Sequence, residues 1–327
     1  MSNLAPGLLR AIEREATSVP FRVLQTRVIE MMTAYRSGDP SAAPRLDETG
    51  AKAYAAYRMP ATVAALVRVF SEISVTTGLE PTSLVDLGGG TGAGIWAAHT
   101  VWPSLAWATV VDRSPEAVDV GKRLTAELDI PVTWITEPAS GDLPAADVAV
   151  AAYLMSELTA AEVDDVVDAM TATAETAVVV EPGTPVGYER ILTVRDRMLD
   201  AGMALAAPCP HHRECPLAGR DWCHFAARFN RPPWLRRLKD AELGHEDEKY
   251  SYVVGTRLDV TATGDCVIRH PQKRDRMVTL ELCRSDGAAE TVTISRRHGD
   301  VYKQARDVRW GDRWLPHTRQ DSADLGR

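Results

Sequence analysis

The sequence predicts an α/β protein with a doubly wound parallel sheet, and three observations support this. From residue 83 onward, short apolar runs alternate with helical patterns, as they do in strand, helix, strand units. The runs are almost continuously apolar, which is typical of strands covered on both faces. The first run ends in a glycine-rich loop that leads directly into a helix.

Five strands can be identified in order. They are SLVDLGG from residue 83, WATVVD (107–112), VTWIT (132–136), ADVAVAAYLM (146–155) and TAVVVEPG (176–183). Apolar spacings of three and four predict the helices that follow them, over 95–101, 115–128, 161–173 and 187–203. Before the sheet, 4–36 and 51–77 are also helical in pattern. SGDPSAAP (37–44) separates these two stretches, and Pro60 is expected to start or kink a helix.

The region after residue 205 has a different character. APCPHHRECPLAGRDWCHF has too little apolar periodicity to pack as an ordinary element, so something else must order it. Strands are predicted over 251–260, 276–283 and 291–297, with a hairpin turn at SDG (285–287). We therefore expect a helical N-terminal cap over 1–80, an α/β core over 81–205, and a Cys-rich, β-containing C-terminal region over 206–327.

Composition and charge narrow the possible classes of protein. The 327 residues are 45% hydrophobic and 25% charged, which excludes a mainly disordered chain. The N-terminal stretch lacks the pattern of a signal peptide, so we expect a cytoplasmic, monomeric protein with no membrane association. Residues 1–205 carry 15 Lys and Arg against 27 Asp and Glu, whereas 206–327 carry 22 against 18. This late basic excess favours a polyanionic partner such as RNA.

The loop VDLGGGTGAG predicts a cofactor site. It has Asp86 at a strand end and Gly88, Gly90 and Gly92 before a helix, where the backbone must turn tightly and admit a ligand. Asp112 ends the next strand, where a carboxylate can accept hydrogen bonds from ribose hydroxyls. The spacing also satisfies a dinucleotide site. However, the Asp-x-Gly-x-Gly-x-Gly run resembles motif I of class I S-adenosylmethionine methyltransferases, which favours S-adenosylmethionine.

The residues for methyl transfer are less evident. The fourth strand is followed by AAYLMSEL rather than by an Asn/Asp-Pro-Pro-aromatic motif, and no nucleophilic cysteine is present there. Side chains near the carboxyl ends of the strands can line the pocket or act in catalysis; these are Tyr153, Ser156, Glu157 and Glu181.

Three cysteines in the polar segment predict a metal centre. Cys209, Cys215 and Cys223 are spaced C-x5-C-x7-C, and the binding of a metal could order a segment that has no core of its own. For the fourth ligand we favour Cys283, at the end of a strand, over Cys266. Zinc and iron–sulfur both suit thiolates, and the absence of a C-x2-4-C knuckle favours a 4Fe-4S cluster.

Several segments together resemble one family, the methyltransferase-like assembly factors of the mitochondrial small ribosomal subunit and their bacterial relatives. They are AYRMPAT (56–62), VDLGGGTGAG (85–94), VVVEPGTPVGYERI (178–191), APCPHHRECPL with DWCHF (207–225), and RRHGDVYKQARDVRWGD (296–312). The resemblance implies a class I methyltransferase core and small-subunit ribosomal RNA, or the pre-ribosomal small subunit, as partner. It also implies a 4Fe-4S cluster on four cysteines, which here are Cys209, Cys215, Cys223 and Cys283.

The sequence supports three functional hypotheses. The first is an S-adenosylmethionine-binding, RNA-directed protein of small-subunit biogenesis, which includes an RNA methyltransferase. The second is a non-catalytic assembly factor that retains the cofactor fold. The third is a small-molecule or protein methyltransferase with a zinc loop, which would show no salt-dependent affinity for RNA.

Overall fold

The computed structural model describes residues 4–37, 46–141, 143–260 and 264–316. Its centre is a parallel sheet of five strands in the order β3-β2-β1-β4-β5. These strands are β1 (Ser83–Leu87), β2 (Trp107–Val111), β3 (Val132–Ile135), β4 (Ala146–Ala152) and β5 (Ala174–Pro182). The predicted parallel sheet is confirmed, with strand boundaries within a few residues of those expected.

Helices cover both faces of this sheet. Those that alternate with the strands are α5 (Ala93–Val101), α6 (Pro115–Thr125), α7 (Ala160–Thr173) and α8 (Pro185–Asp200). Successive residues of a strand point to opposite faces. Accordingly, Leu84 of β1 packs into one buried apolar cluster, whereas Val85 and Leu87 pack into another. This explains why the strands are apolar along their whole length.

Three later strands extend the sheet in the antiparallel sense. β6 (Ala204–Ala207), β7 (Phe225–Asn230) and β8 (His245–Thr256) all belong to it, and α9 (Pro233–Leu238) connects the last two. β8 pairs with β5, β6 and β7, in each case antiparallel. The predicted strand at 251–260 is therefore part of a longer element that begins earlier and ends at Thr256.

A second, smaller sheet lies in the C-terminal region. Its strands are β9 (Asp265–Val267), β10 (Gln272–Arg274), β11 (Met277–Cys283), β12 (Ala289–Ser295) and β13 (Arg313–Trp314). Val278, Leu280 and Leu282 alternate along β11 and form a core with α10 (Asp300–Asp307). The predicted hairpin turn is confirmed, because Gly287 has a φ of 93° and the N–H of Arg284 bonds the carbonyl of Ala288.

Four helices precede β1, namely α1 (Pro6–Thr17), α2 (Phe21–Ser37), α3 (Glu48–Tyr57) and α4 (Met59–Thr77). The helical pattern over 4–36 is thus two helices, and Pro60 lies at the start of α4 as predicted. Most of the predicted break at 37–44 lies outside the described residues. Among the described helices, α4 alone is long and apolar enough to cross a membrane, and most of that stretch is buried inside the fold.

Candidate cofactor site and cysteine cavity

The glycine loop between β1 and α5 depends on backbone conformations that other residues rarely adopt. Gly88, Gly90 and Gly92 have φ angles of 61°, 53° and 86°. A Cβ on Gly88 would lie 2.6 Å from Cδ1 of Leu154. At Gly90 the nearest atom to such a Cβ would be 3.8 Å away, so the bare backbone there is open to the approach of a ligand.

Asp86 supports this loop from below. Its side chain is buried, with 1% of the residue exposed, and Oδ2 accepts a hydrogen bond of 3.1 Å from the N–H of Gly94. A Cβ added to Gly89 would lie 2.6 Å from the Asp86 carboxyl group, so position 89 requires glycine. Burial raises the pKa of Asp86 to about 7. Asp86 therefore shapes the loop, and a direct contact with a cofactor stays a prediction.

Asp112 connects the end of β2 to the same loop. Its Oδ2 accepts a hydrogen bond of 2.8 Å from the N–H of Gly90, and its Oδ1 accepts one of 2.8 Å from Ser114. Burial raises the pKa of this carboxyl group, although both hydrogen bonds oppose the shift. Each carboxylate oxygen retains a free lone pair that a ribose hydroxyl could use. The structure thus brings the five predicted cofactor residues into one region at the carboxyl edge of the sheet.

A buried polar network lies at the carboxyl end of β4, next to the point where strand order reverses. Tyr153 has a φ of 62°, a conformation that costs a non-glycine residue about 1 to 3 kcal/mol. Its hydroxyl donates to Oε1 of Glu248 over 2.8 Å, and Nη2 of Arg58 donates to the same oxygen over 3.0 Å. The Arg58 guanidinium also lies 5.0 Å from the centre of the Tyr153 ring.

The other candidates at this edge occupy different positions. Glu181 is fully buried at the end of β5 and accepts a hydrogen bond of 3.0 Å from the N–H of Met155. Burial raises its pKa to about 7, although Arg190 lies 3.5 Å away and opposes the shift. Ser156 donates to the Tyr153 carbonyl, and Glu157 pairs with Arg113 near the surface.

The sequence analysis missed Arg58 and Glu248. The two residues are 190 positions apart, and a single sequence carries no signal that they meet. Arg58 does lie within the segment AYRMPAT, which contributed to the family resemblance.

All five cysteines line one cavity between α8 and the small sheet. The cavity is partly open to solvent, and its other walls are mostly apolar. Cys209, Cys215 and Cys223 come from the chain between β6 and β7. Cys283 ends β11 and lies directly opposite Cys266 of β9. Cys266, disfavoured as a ligand on sequence grounds, is only 2% exposed.

Burial raises the pKa of four of these thiols, and nearby cysteines raise them further. For Cys266 the pKa rises to about 12, although Arg313 opposes the shift. Because burial outweighs the effect of the nearby arginines, the pKa shifts are upward, and a metal that bound these cysteines as thiolates would release protons.

The described residues contain no group of three or more His, Cys, Asp or Glu side chains arranged to hold one metal ion. Zinc bonds to sulfur at about 2.3 Å, which would bring four sulfurs to within about 3.8 Å of each other. The cysteines therefore do not form a site for a single zinc ion. Thiols are the soft donors that an iron–sulfur cluster uses, and a cluster on these cysteines stays a prediction.

Ion pairs neutralise many of the late basic residues. Arg231 and Lys239 both pair with Glu246, Arg269 pairs with Asp221, and Arg313 pairs with Glu72. One group at the edge of the small sheet remains exposed, and within the described residues Arg276 alone of its members has an ion pair, of 3.8 Å with Asp275. We call this group the basic edge: Lys273, Arg274, Arg276, Arg296 and Arg297.

Four tryptophans lie in the same C-terminal region, and the structure packs each against the fold. Trp222 donates its indole N–H to the carbonyl of Gly183 and stacks on His224. Trp310 contacts His224 and Phe225 edge-on or tilted. Trp314 is buried, and Trp234 packs partly against the core.

The mixed sheet and the glycine loop at the carboxyl end of β1 define an α/β protein of the class I methyltransferase type. A family model described as "Mitochondrial small ribosomal subunit Rsm22" matches residues 48–315. The chain belongs to the Rsm22 family, and the resemblance found in the sequence is confirmed.

Named relatives agree with this assignment. The chain is 32% identical over 288 residues to the human ribosome assembly protein METTL17, covering 79% of this chain and 61% of that protein. It is 24% identical over 191 residues to the Saccharomyces cerevisiae ribosome assembly protein RSM22, covering 38% of this chain and 30% of that protein. The chain thus spans less than two thirds of either relative. Both are named as mitochondrial, which contradicts the expected cytoplasmic location.

Two solved structures have partial similarity to this chain. One is a putative RNA methyltransferase from Pyrococcus horikoshii, with a TM-score of 0.42 and 13% identity, over 62% of this chain and 85% of that chain. Another is an O-methyltransferase family protein from Burkholderia thailandensis, with a TM-score of 0.44 and 14% identity, over 73% of this chain and 70% of that chain.

Proposed function

We propose that this chain is an S-adenosylmethionine-binding, ribosomal-RNA-associated factor in the assembly of the small ribosomal subunit. The observation that carries the proposal is the Rsm22 family match over residues 48–315. Two relatives in that family are named ribosome assembly proteins. A glycine loop of the methyltransferase type supports the same proposal, because the chain retains the geometry of a cofactor site.

In this proposal the glycine loop holds the cofactor. The backbone at Gly88, Gly90 and Gly92 would contact it, Asp112 would accept hydrogen bonds from its ribose hydroxyls, and Asp86 would keep the loop in shape. S-adenosylmethionine supplies a transferable methyl group when bound. The open approach to the Gly90 backbone supports this assignment.

A 4Fe-4S cluster would be held by Cys209, Cys215, Cys223 and Cys283 and would serve a structural role. The cavity lined by these cysteines supports the proposal. The segment from 208 to 224 has little regular secondary structure, so a cluster that bound both this segment and β11 would join the small sheet to the large one.

The proposed partner is small-subunit ribosomal RNA, bound in part through the basic edge. Exposed cationic side chains without acidic partners are the groups that contact phosphates. The ion pairs of Arg231, Lys239 and Arg269 argue against a more extended basic surface.

A non-catalytic factor that retains the cofactor fold is the second candidate. It is favoured by the network of Tyr153, Glu248 and Arg58, which fills the carboxyl end of β4 with groups already bonded to one another. A methyl acceptor that entered there would have to displace a buried ion pair. In the RNA methyltransferase alternative, Tyr153 and Glu248 would instead contact the acceptor.

The test combines depletion of the protein with rescue. Loss of the chain is expected to cause immature small-subunit particles to accumulate in sucrose gradients, and the wild-type chain is expected to restore mature particles. A rescue series with Gly90→Ala, which blocks the loop, would distinguish the two candidates. Rescue by a variant that no longer binds S-adenosylmethionine would favour the non-catalytic factor, whereas normal particles in the depleted cells would contradict the whole proposal.

A further inference from the structure

Three side chains outside the proposed ligand set contact three different cysteines at the cavity. The hydroxyl of Tyr188 lies 3.1 Å from Sγ of Cys215. Arg195, about two turns further along α8, lines the same cavity as Cys209, and its positive charge opposes the rise that burial causes in the pKa of that thiol. On the opposite wall, Nε2 of His211 lies 3.5 Å from Sγ of Cys283.

Two of these side chains also have polar atoms with no partner. Nε of Arg195 and Nδ1 of His211 are buried and form no hydrogen bond within the described part of the chain. Both residues are more than nine-tenths buried, at 3% and 7% exposed. Leaving such atoms unpaired costs free energy, so they indicate a group that is missing from this site.

The missing group should be negatively charged. Arg195 is always protonated, and its acidic partner among the described residues is Asp196, whose side chain is 70% exposed. Solvent screens that pair, so the buried end of the guanidinium lacks a compensating charge. A cluster held by four thiolates carries net negative charge and would lie on the cavity side of Arg195.

We propose that Arg195, Tyr188 and His211 form a hydrogen-bonding shell around the cluster, with Arg195 as its internal counter-charge. This inference rests on the cluster in the proposed function and assigns positioning residues to it. Hydrogen bonds to cluster sulfurs stabilise added negative charge, so the shell raises the reduction potential. It also fixes the cysteines in place, which slows loss of the cluster in air.

The experiment uses the full chain, purified without oxygen, and compares Tyr188→Phe and Arg195→Gln with the wild type. Arg197→Gln is the matched control, because Arg197 lies on the same helix and pairs with Asp164 and Asp168 near the surface. The readouts are iron and sulfide content, the midpoint potential in a dithionite titration followed by electron paramagnetic resonance, and the rate of bleaching in air.

We expect Tyr188→Phe and Arg195→Gln to shift the potential to more negative values and to bleach about tenfold faster, while Arg197→Gln behaves as the wild type. Arg195→Lys, which keeps the charge, should recover part of the potential. A variant with full iron and sulfide but unchanged potential and bleaching would overturn this inference alone. A wild-type protein without iron and sulfide would overturn the cluster proposal and this inference with it.

Discussion

Asp86 combines a stabilising contact with an unfavourable charge. The carboxyl group receives the N–H of Gly94 and sits beneath the glycine loop, yet burial raises its pKa from 3.8 to about 7. Because the pKa is higher in the folded state, folding favours the protonated form. The protonated Asp86 carboxyl group therefore contributes its full share of stability below about pH 4. This contribution is lost as the pH rises to about 7.

We therefore expect the free energy of unfolding to decrease between about pH 4 and pH 7, with Glu181 contributing in the same direction. Asp86→Asn keeps an oxygen for Gly94 but carries no charge. It should be more stable than the wild type at pH 8 by up to about 4 kcal/mol, measured by urea unfolding at pH 5 and pH 8.

Asp147→Asn provides a control of opposite sign. Despite partial burial, hydrogen bonds from Thr82 and Ser83 lower the pKa of Asp147. Loss of its charge should therefore reduce stability at pH 8. If Asp86→Asn were also less stable than the wild type at pH 8, the buried charge of Asp86 would not destabilise the fold. The raised pKa of Asp86 would then be wrong.

Cys266 and Cys283 lie opposite each other in antiparallel strands, so substitutions at the two positions are well matched. We expect Cys283→Ser to lose most of the iron and sulfide of the anaerobic protein and Cys266→Ser to retain both. The reverse result would make Cys266 the fourth ligand. Equal retention in both variants would mean that neither thiol is essential for holding the cluster.

At the residue scale, the sequence could predict only sites that depend on local spacing. Gly88, Gly90 and Gly92 are close in sequence, and their left-handed conformations follow from a loop that joins a strand directly to a helix. The contact of Arg58 with Glu248 depends instead on the packing of α4 against β8, two elements distant in the chain. No local pattern encodes such a contact.

At the element scale, the glycine loop yields a direct test of cofactor binding. Gly90 and Gly202 both have positive φ, at 53° and 77°, and an added Cβ would have space at each. Gly90→Ala and Gly202→Ala should therefore cost similar stability, about 1 to 2 kcal/mol. In calorimetric titrations with S-adenosylmethionine, only Gly90→Ala should lose affinity, because only its methyl group projects into the proposed site.

Equal affinity of these two variants for S-adenosylmethionine would contradict the placement of the cofactor on the loop. If both variants lost affinity, reduced stability would be the cause. Thermal melting at the same pH would then show a large drop in the melting temperature of Gly202→Ala.

The sequence predicted the five parallel strands well because each is a continuous apolar run flanked by a helix. It also predicted a strand near β8, but its direction and neighbours depend on pairing with β5, far away in the chain. β7 was not predicted at all. Its burial alternates along Phe225, Ala227 and Phe229, and the strand follows directly after the cysteine segment, which obscures where regular structure begins.

α8 is the element that links the two candidate sites. Arg190 on this helix pairs with Glu181 near the carboxyl edge of the sheet, while Tyr188 and Arg195 reach the cysteine cavity. A shift of this helix would change both sites together, so the two proposed groups share a rigid support.

At the scale of the whole molecule, folding neutralises part of the charge asymmetry seen in the sequence. Arg228 pairs with Asp247, Arg284 with Asp265, and Arg313 with Glu72. The basic edge groups several exposed cations where the turn between β10 and β11 meets the end of β12. Sequence composition could predict an excess of positive charge but not which residues would lack partners, because that depends on which acids fold beside them.

The basic edge predicts how the whole protein should bind RNA. A variant with Lys273→Gln, Arg274→Gln and Arg297→Gln should bind a small-subunit ribosomal RNA fragment roughly tenfold more weakly near 0.1 M salt. Loss of these phosphate contacts should also reduce the slope of log affinity against log salt by about 2.

The control replaces three exposed cations of the acidic N-terminal part, Arg14, Arg113 and Lys122, with glutamine and should leave both the affinity and the slope unchanged. If RNA affinity fell equally in the two triple variants, binding would depend on net charge alone. If the salt slope of the basic-edge variant were unchanged, RNA would contact another surface.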